Sequence, residues 1–118
     1  MTNLERLKLE LNHKPYYDDE DYIQFLAENN LTDTDTFNKE IHFIKILETV
    51  ISVLEALSND VDLMRKIDAK DITSIDQASL YLNQRIFNLN ARIQRLKEEE
   101  NNITNINLMF YNSRRGVK

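Results

Sequence analysis

Four consecutive carboxylates, Asp18-Asp19-Glu20-Asp21, are the densest set of potentially reactive groups in this chain. Clustered carboxylate oxygens are what calcium and magnesium bind. Consecutive residues of a helix point in different directions, however, and acid at a helix start is ordinary capping that complements the dipole. The run is therefore expected to open a helix, not to hold a metal ion. A second acidic spacing, Asp33-x-Asp35, fails as a calcium loop. The sixth position of an EF-hand loop needs glycine and the twelfth a bidentate glutamate, but Asn38 and Ile44 stand there. His13 and His42 lie on different segments without metal-ligand spacing, and His42, between Ile41 and Phe43, reads as a helix-face residue. The absence of cysteine excludes thiolate metal sites, disulfides and thiol catalysis. With Gly116 as the one glycine, neither a phosphate-binding loop nor a serine nucleophile elbow can form. No catalytic residue, cofactor or metal is expected, and the chain reads as non-enzymatic.

The elements that carry these residues are helical. One proline, Pro15, and one glycine in 118 residues supply almost none of the turn chemistry that a β-sandwich requires. Leu4, Leu7 and Leu11 form one apolar stripe on a first helix over about 3–12, which Pro15 is expected to stop. Asp18 is a candidate N-cap for a second helix, with Asp21 at the capping-box position, burying Tyr22, Ile23 and Leu26 and ending near Asn29-Asn30. Asp33, Thr34, Asp35 and Thr36 compete to cap a third helix over about 36–58. Its wide apolar face includes Phe37, Ile41, Ile44, Leu47, Ile51 and Leu54, broadened by Phe43, Ile46, Val50, Val53 and Leu57. Such a face touches more than one neighbour, so this is the central element. Its β-branched residues give it modest helix propensity, which burial must override.

Ser58-Asn59-Asp60 either caps a helical restart carrying Val61, Met64 and Ile67 or is a polar patch on a continuous helix. Ser74 and Gln77 form a capping-box pair that opens a further helix. Its Leu82, Ile86, Leu89, Ile93 and Leu96 alternate by four and three, the seam of a coiled-coil-like pair. Glu98-Glu99-Glu100 would oppose the dipole at a helix C-terminus, so the helix is expected to fray there and release the chain. The C-terminal stretch, NNITNINLMFYNSRRGVK, has β-type character: Ile103, Ile106, Leu108, Met109, Phe110 and Tyr111 run into Arg114 and Arg115. Such a strip either folds back on the wide face of the third helix or is buried by another molecule. Fully extended, these eighteen residues would reach roughly 60 Å.

The expected fold is all-α: a small bundle of about four helices with an extended C-terminal arm, residues 1–100 forming the bundle domain and 101–118 the arm. The net charge of −5 argues against general nucleic-acid binding. Its distribution is uneven: residues 1–80 carry 8 Lys/Arg against 17 Asp/Glu, and residues 81–118 carry 7 against 3. Head-to-tail association would exploit this polarity; a solvated helix surface would equally produce it. No signal-peptide core and no apolar run of membrane-spanning length is present, so a soluble intracellular protein is expected. The basic end, Arg92, Arg95, Lys97, Arg114, Arg115 and Lys118 beside Phe110 and Tyr111, leaves a competing reading open: a small helical regulatory or nucleic-acid-binding module. Against a helix-turn-helix reader stands the lack of a glycine-containing tight turn.

The order of segments, NLERLKLEL, YYDDEDYIQFLAENNL, ILETVISVLEALSNDVDLMRKI, LYLNQRIFNLNARI and then the tail, resembles small proteins of the head-tail modules of tailed bacteriophages and Gram-positive prophages. More broadly it is similar to head-tail connector, or adaptor, proteins. That resemblance implies a helical bundle that assembles as a ring of copies beneath the phage portal and extends the DNA channel. It implies a C-terminal segment inserted against the portal or a neighbouring subunit. Leu108, Met109, Phe110 and Tyr111 would be the anchors, and Arg114 and Arg115 would meet acidic surroundings or channel DNA. The implied partners are further copies, the portal and adjoining neck or tail proteins, with no membrane and no cofactor. The implied location is the virion neck, after synthesis in the bacterial host cytoplasm.

Overall fold

The computed structural model describes residues 1–67 and 74–116. It contains five helices, α1 (Asn3–Glu10), α2 (Asp19–Glu28), α3 (Lys39–Ser58), α4 (Val61–Ile67) and α5 (Ile75–Gly116), and no strand among the described residues. The all-α bundle with a C-terminal arm is thus the fold observed, and α3 is its centre. Leu7 and Leu11 from the first segment, Tyr22 and Leu26 from α2, and Ala78 and Leu82 from α5 close on Ile46, Val50, Val53, Leu54 and Leu57 of α3. A second cluster joins Phe43, Leu47 and Ile51 to Ile93, with Leu96 packed against it. α5 therefore runs antiparallel to α3: Leu82 shares a cluster with Leu57, and Ile93 one with Phe43. The seam read from the sequence is the packed one. Ile41 is the exception on α3, 67% exposed.

The helix ends differ from expectation, each for a local reason. α1 opens on a reciprocal capping box: Thr2 Oγ1 accepts from the Glu5 N–H at 3.2 Å, and Glu5 Oε1 accepts from the Thr2 N–H at 2.9 Å. It ends at Glu10, short of the expected boundary, because Asn12 and His13 both turn into the left-handed region at φ 56°. The chain has left the helix before Pro15 can act. Asp18 occupies the N-cap position of α2 but its side chain makes no capping hydrogen bond. Asn30, at φ 62°, takes the left-handed turn after α2 that asparagine tolerates better than most residues.

α3 begins at Lys39 and not at 36: none of the expected caps, Asp33 to Thr36, takes the role, and Asn38 does, its Oδ1 accepting from the Glu40 N–H at 3.0 Å. The residues before it are engaged elsewhere. Thr36 bridges to Thr2, the Asn3 N–H donates to the Asp35 carbonyl at 2.9 Å, and the buried Asn3 amide donates to the Thr32 carbonyl at 2.9 Å. The chain's N-terminus is thereby stitched to the loop that enters α3. At 58–60 the structure selects the restart: α3 stops at Ser58, and Asp60 Oδ1 accepts from the Leu63 N–H at 3.2 Å to open α4. Ser74 caps α5 as expected, accepting from the Gln77 N–H at 3.1 Å.

The largest departure lies at the acidic run. α5 does not end at Glu98-Glu99-Glu100; it continues to Gly116, 42 residues in all. Glutamate is a good helix former, and its dipole penalty applies only where a helix ends. Carrying the helix on moves its negative end to Arg114 and Arg115, whose charges suit it, with glycine at the finish. At 1.5 Å per residue α5 is roughly 63 Å long against roughly 30 Å for α3, and the molecule measures 67 Å along its longest axis. The arm thus projects as expected, but as a helix rather than a β-like strip. From residue 101 it spans roughly 24 Å, not the roughly 60 Å of a fully stretched chain.

Candidate assembly surfaces

α5 leaves the bundle shortly after Leu96. Among the residues whose side chains are described, that residue is the last on α5 to pack against either core cluster, and Lys97, Glu98, Glu99, Glu100 and Asn101 are all exposed. Among the described residues, no neighbouring helix covers this turn on any side. Leu108, Met109, Phe110, Tyr111, Arg114 and Arg115 all belong to the last turns of α5, and their side chains lie outside the described residues. Within the bundle, the face of α5 turned away from α3 carries Leu80, 67% exposed, and Phe87, 73% exposed, seven residues apart. A helical wheel places both opposite the Leu82–Ile93 seam, a signal present in the sequence but outside the periodicity of the core.

A cationic ridge lies where α1, α3 and α5 meet. The Phe43 ring is surrounded by Arg92 at 4.8 Å, Arg6 at 5.3 Å and Lys39 at 5.5 Å from its centroid. Arg6 also stacks on Phe37 at 4.9 Å and pairs with Glu10 at 2.7 Å. The Arg85 guanidinium donates to the Glu10 carbonyl at 2.7 Å, tying α5 to the end of α1. Among the described residues, neither Lys39 nor Arg92 has a carboxylate at ion-pair distance. The partners come from three helices far apart in sequence, so this cluster has no linear signature.

The opposite end of the bundle is acidic. Asp18, Asp19, Glu20 and Asp21 are all exposed at the start of α2. Asp19 pairs with Lys8 at 2.6 Å. A hydrogen bond with the Asp18 side chain, desolvation and the charges of Asp18 and Glu20 push the Asp21 carboxyl above its ordinary range. Burial raises the Tyr17 phenol, and the charges of Asp60 and Asp21 raise it further, so the end of α3 and the start of α2 share one negative field. A carboxyl whose folded pKa is raised destabilises the fold as pH rises through that value. Asp21→Asn is therefore expected to raise the melting temperature at pH 7. The gain should vanish below the ordinary carboxylate pKa, which melting curves at pH 3 and pH 7 read directly.

A cavity of about 300 Å³ lies beside α2, lined by Lys8, His13, Lys14, Pro15, Tyr17, Asp19 and Tyr22. The Tyr22 hydroxyl donates to the Lys14 carbonyl at 3.0 Å and accepts from the Tyr17 N–H at 3.3 Å, so it fixes the loop. His42 accepts through Nδ1 from the Asn38 N–H at 3.2 Å, a second contact at the α3 cap. Among the described residues no group of three or more His, Asp or Glu side chains is placed to hold a metal ion, and no helix is long and apolar enough to cross a membrane. No protein-family model matches the chain, and no curated protein and no solved structure matches it.

Proposed function

We propose that this protein is a non-enzymatic structural subunit of a phage or prophage neck, a head-tail connector whose helical arm docks on the portal or on an adjoining subunit. The observation that carries the reading is the length of α5: 42 residues, of which those up to Leu96 pack against the bundle among the residues whose side chains are described. A helix that leaves its own core needs another surface to bury its apolar side chains. The remainder of α5 brings Ile103, Ile106, Leu108, Met109, Phe110 and Tyr111 in its sequence. The order of segments along the chain supports the connector family in particular, and a ring of copies around the DNA channel is the assembly that family forms.

The test is to mix the purified full-length chain with rings of its cognate portal protein and to follow co-sedimentation at physiological salt. The expected result is a stable complex visible as added density at one end of the portal ring. No complex with the portal, together with binding to double-stranded DNA that weakens steeply with salt, would replace this reading by the nucleic-acid-binding one.

A further inference from the structure

The cationic ridge and the acidic edge sit at opposite ends of α3. Phe43 lies one turn into that helix, beside Lys39 at its start, whereas Asp60 comes just after its last residue, Ser58. The start of α2 lies toward the same end as Asp60: Tyr17, just before it, packs with Val61 against the cluster that holds Leu57, and the charges of Asp21 and Asp60 both raise its phenol. About 30 Å separates the two ends of a 20-residue helix. Opposite charges that far apart do not pair within the molecule, and the carboxylates nearer the ridge, Glu40 beside Lys39 and Glu98 and Glu99 about one turn past Arg95, are exposed and make no ion pair with it among the described residues. The α3 dipole adds to the same polarity, with its positive end at the ridge and its negative end at the acidic edge.

We propose that a second copy of this chain docks its acidic edge, Asp18, Glu20, Asp21 and Asp60, on the ridge formed by Lys39, Arg92 and Arg95 beside Phe43, in a head-to-tail contact. Both surfaces are ready for it. Lys39 and Arg92 are exposed, held against the Phe43 ring, and without a carboxylate at ion-pair distance among the described residues. Arg95 lies one turn beyond Arg92 along α5 and is also exposed. Cationic groups already positioned on a ring lose less freedom when they pair. On the other surface, Asp18, Glu20 and Asp21 crowd one another with no basic partner at ion-pair distance among the described residues, and an arriving cation relieves that repulsion. A contact joining two different surfaces leaves each copy with one of each unused, so it propagates, and it closes into a ring when the rotation allows. The arm leaves the bundle from the ridge end, which places it beside the docked neighbour.

This pairing rests on the assembly reading and can fail independently of it, because portal docking by the arm does not use these charges. The experiment is a charge-swap series in the full-length chain, read by sedimentation velocity at low salt, with circular dichroism to confirm that each variant is folded. One variant carries K39E and R92E; the other carries E20K and D21K. The wild-type chain is expected to self-associate and to dissociate as salt rises. Each variant alone should associate at least roughly tenfold more weakly, because its two surfaces now have like charge. An equimolar mixture should recover association, since each variant then meets a complementary surface on the other. A wild-type chain that stays monomeric at low salt, a folded single variant that associates like wild type, or a folded mixture that fails to recover would each overturn the proposal.

Discussion

Leu82→Ala is expected to cost the protein about 2–5 kcal/mol, the range for truncating a fully buried leucine. Leu82 is 0% exposed and sits in the main core cluster with Ala78, Leu54 and Leu57. It carries much of the attachment of α5 to the bundle, because Ile86 and Leu89 further along the seam are only partly buried. The exposed Phe87, on the same helix, gives the contrast: Phe87→Ala should leave stability nearly unchanged, since a side chain 73% exposed creates no cavity when removed. Against a total stability of about 5–15 kcal/mol for a domain of this size, the Leu82 variant should lose roughly 10 °C or more of melting temperature. Urea melts of the two variants check this, with the midpoint falling for one and holding for the other.

Removing residues 103–118 has the opposite signature: little change in stability and a large change in assembly. Among the residues whose side chains are described, Leu96 is the last on α5 to pack against either core cluster, so no apolar contact of the described core is lost with the arm. The cut does place a new helix end just after Glu98-Glu99-Glu100, where acid opposes the dipole. That should cost about 0.3–1 kcal/mol, felt as fraying of the last turns. The shortened chain is therefore expected to melt cooperatively within about 4 °C of the full-length protein. Its helical circular dichroism signal should fall with the turns removed. A collapse of the melting transition would mean that the arm packs back on its own bundle.

How much of the fold is legible in the residues depends on the range of the interactions. The α5 seam, the Ser74 cap and the central role of α3 depend on spacing within one helix, and the structure has them. The α3 cap is different, because the run that competes for it by type, Asp33 to Thr36, does not include Asn38, the residue that takes it. Tertiary bonds from the N-terminal residues engage that run and leave the cap to Asn38. At the end of α1, Pro15 is the conspicuous stop signal in the sequence, yet consecutive left-handed residues at Asn12 and His13 break the helix first.

The end of α5 escapes a local reading for another reason. Acid at 98–100 looks like a stop, but Arg114-Arg115-Gly116 is itself a stop signal of basic charge and glycine, and the helix obeys the later one. Cation stacking of Arg6, Lys39 and Arg92 on Phe43 joins three helices, so no spacing along the chain reveals it. The anchors named in the arm rest on residue type and on the resemblance to connectors; the helix gives them a scaffold.

Whether the arm is the docking element is decided by comparing portal binding of the full-length chain with that of the chain ending at residue 102, at equal concentration and with both shown to be folded. The full-length protein is predicted to co-sediment with portal rings, and the shortened one, though about as stable, to remain in the supernatant. Equal binding by the two forms would contradict the arm's role in assembly.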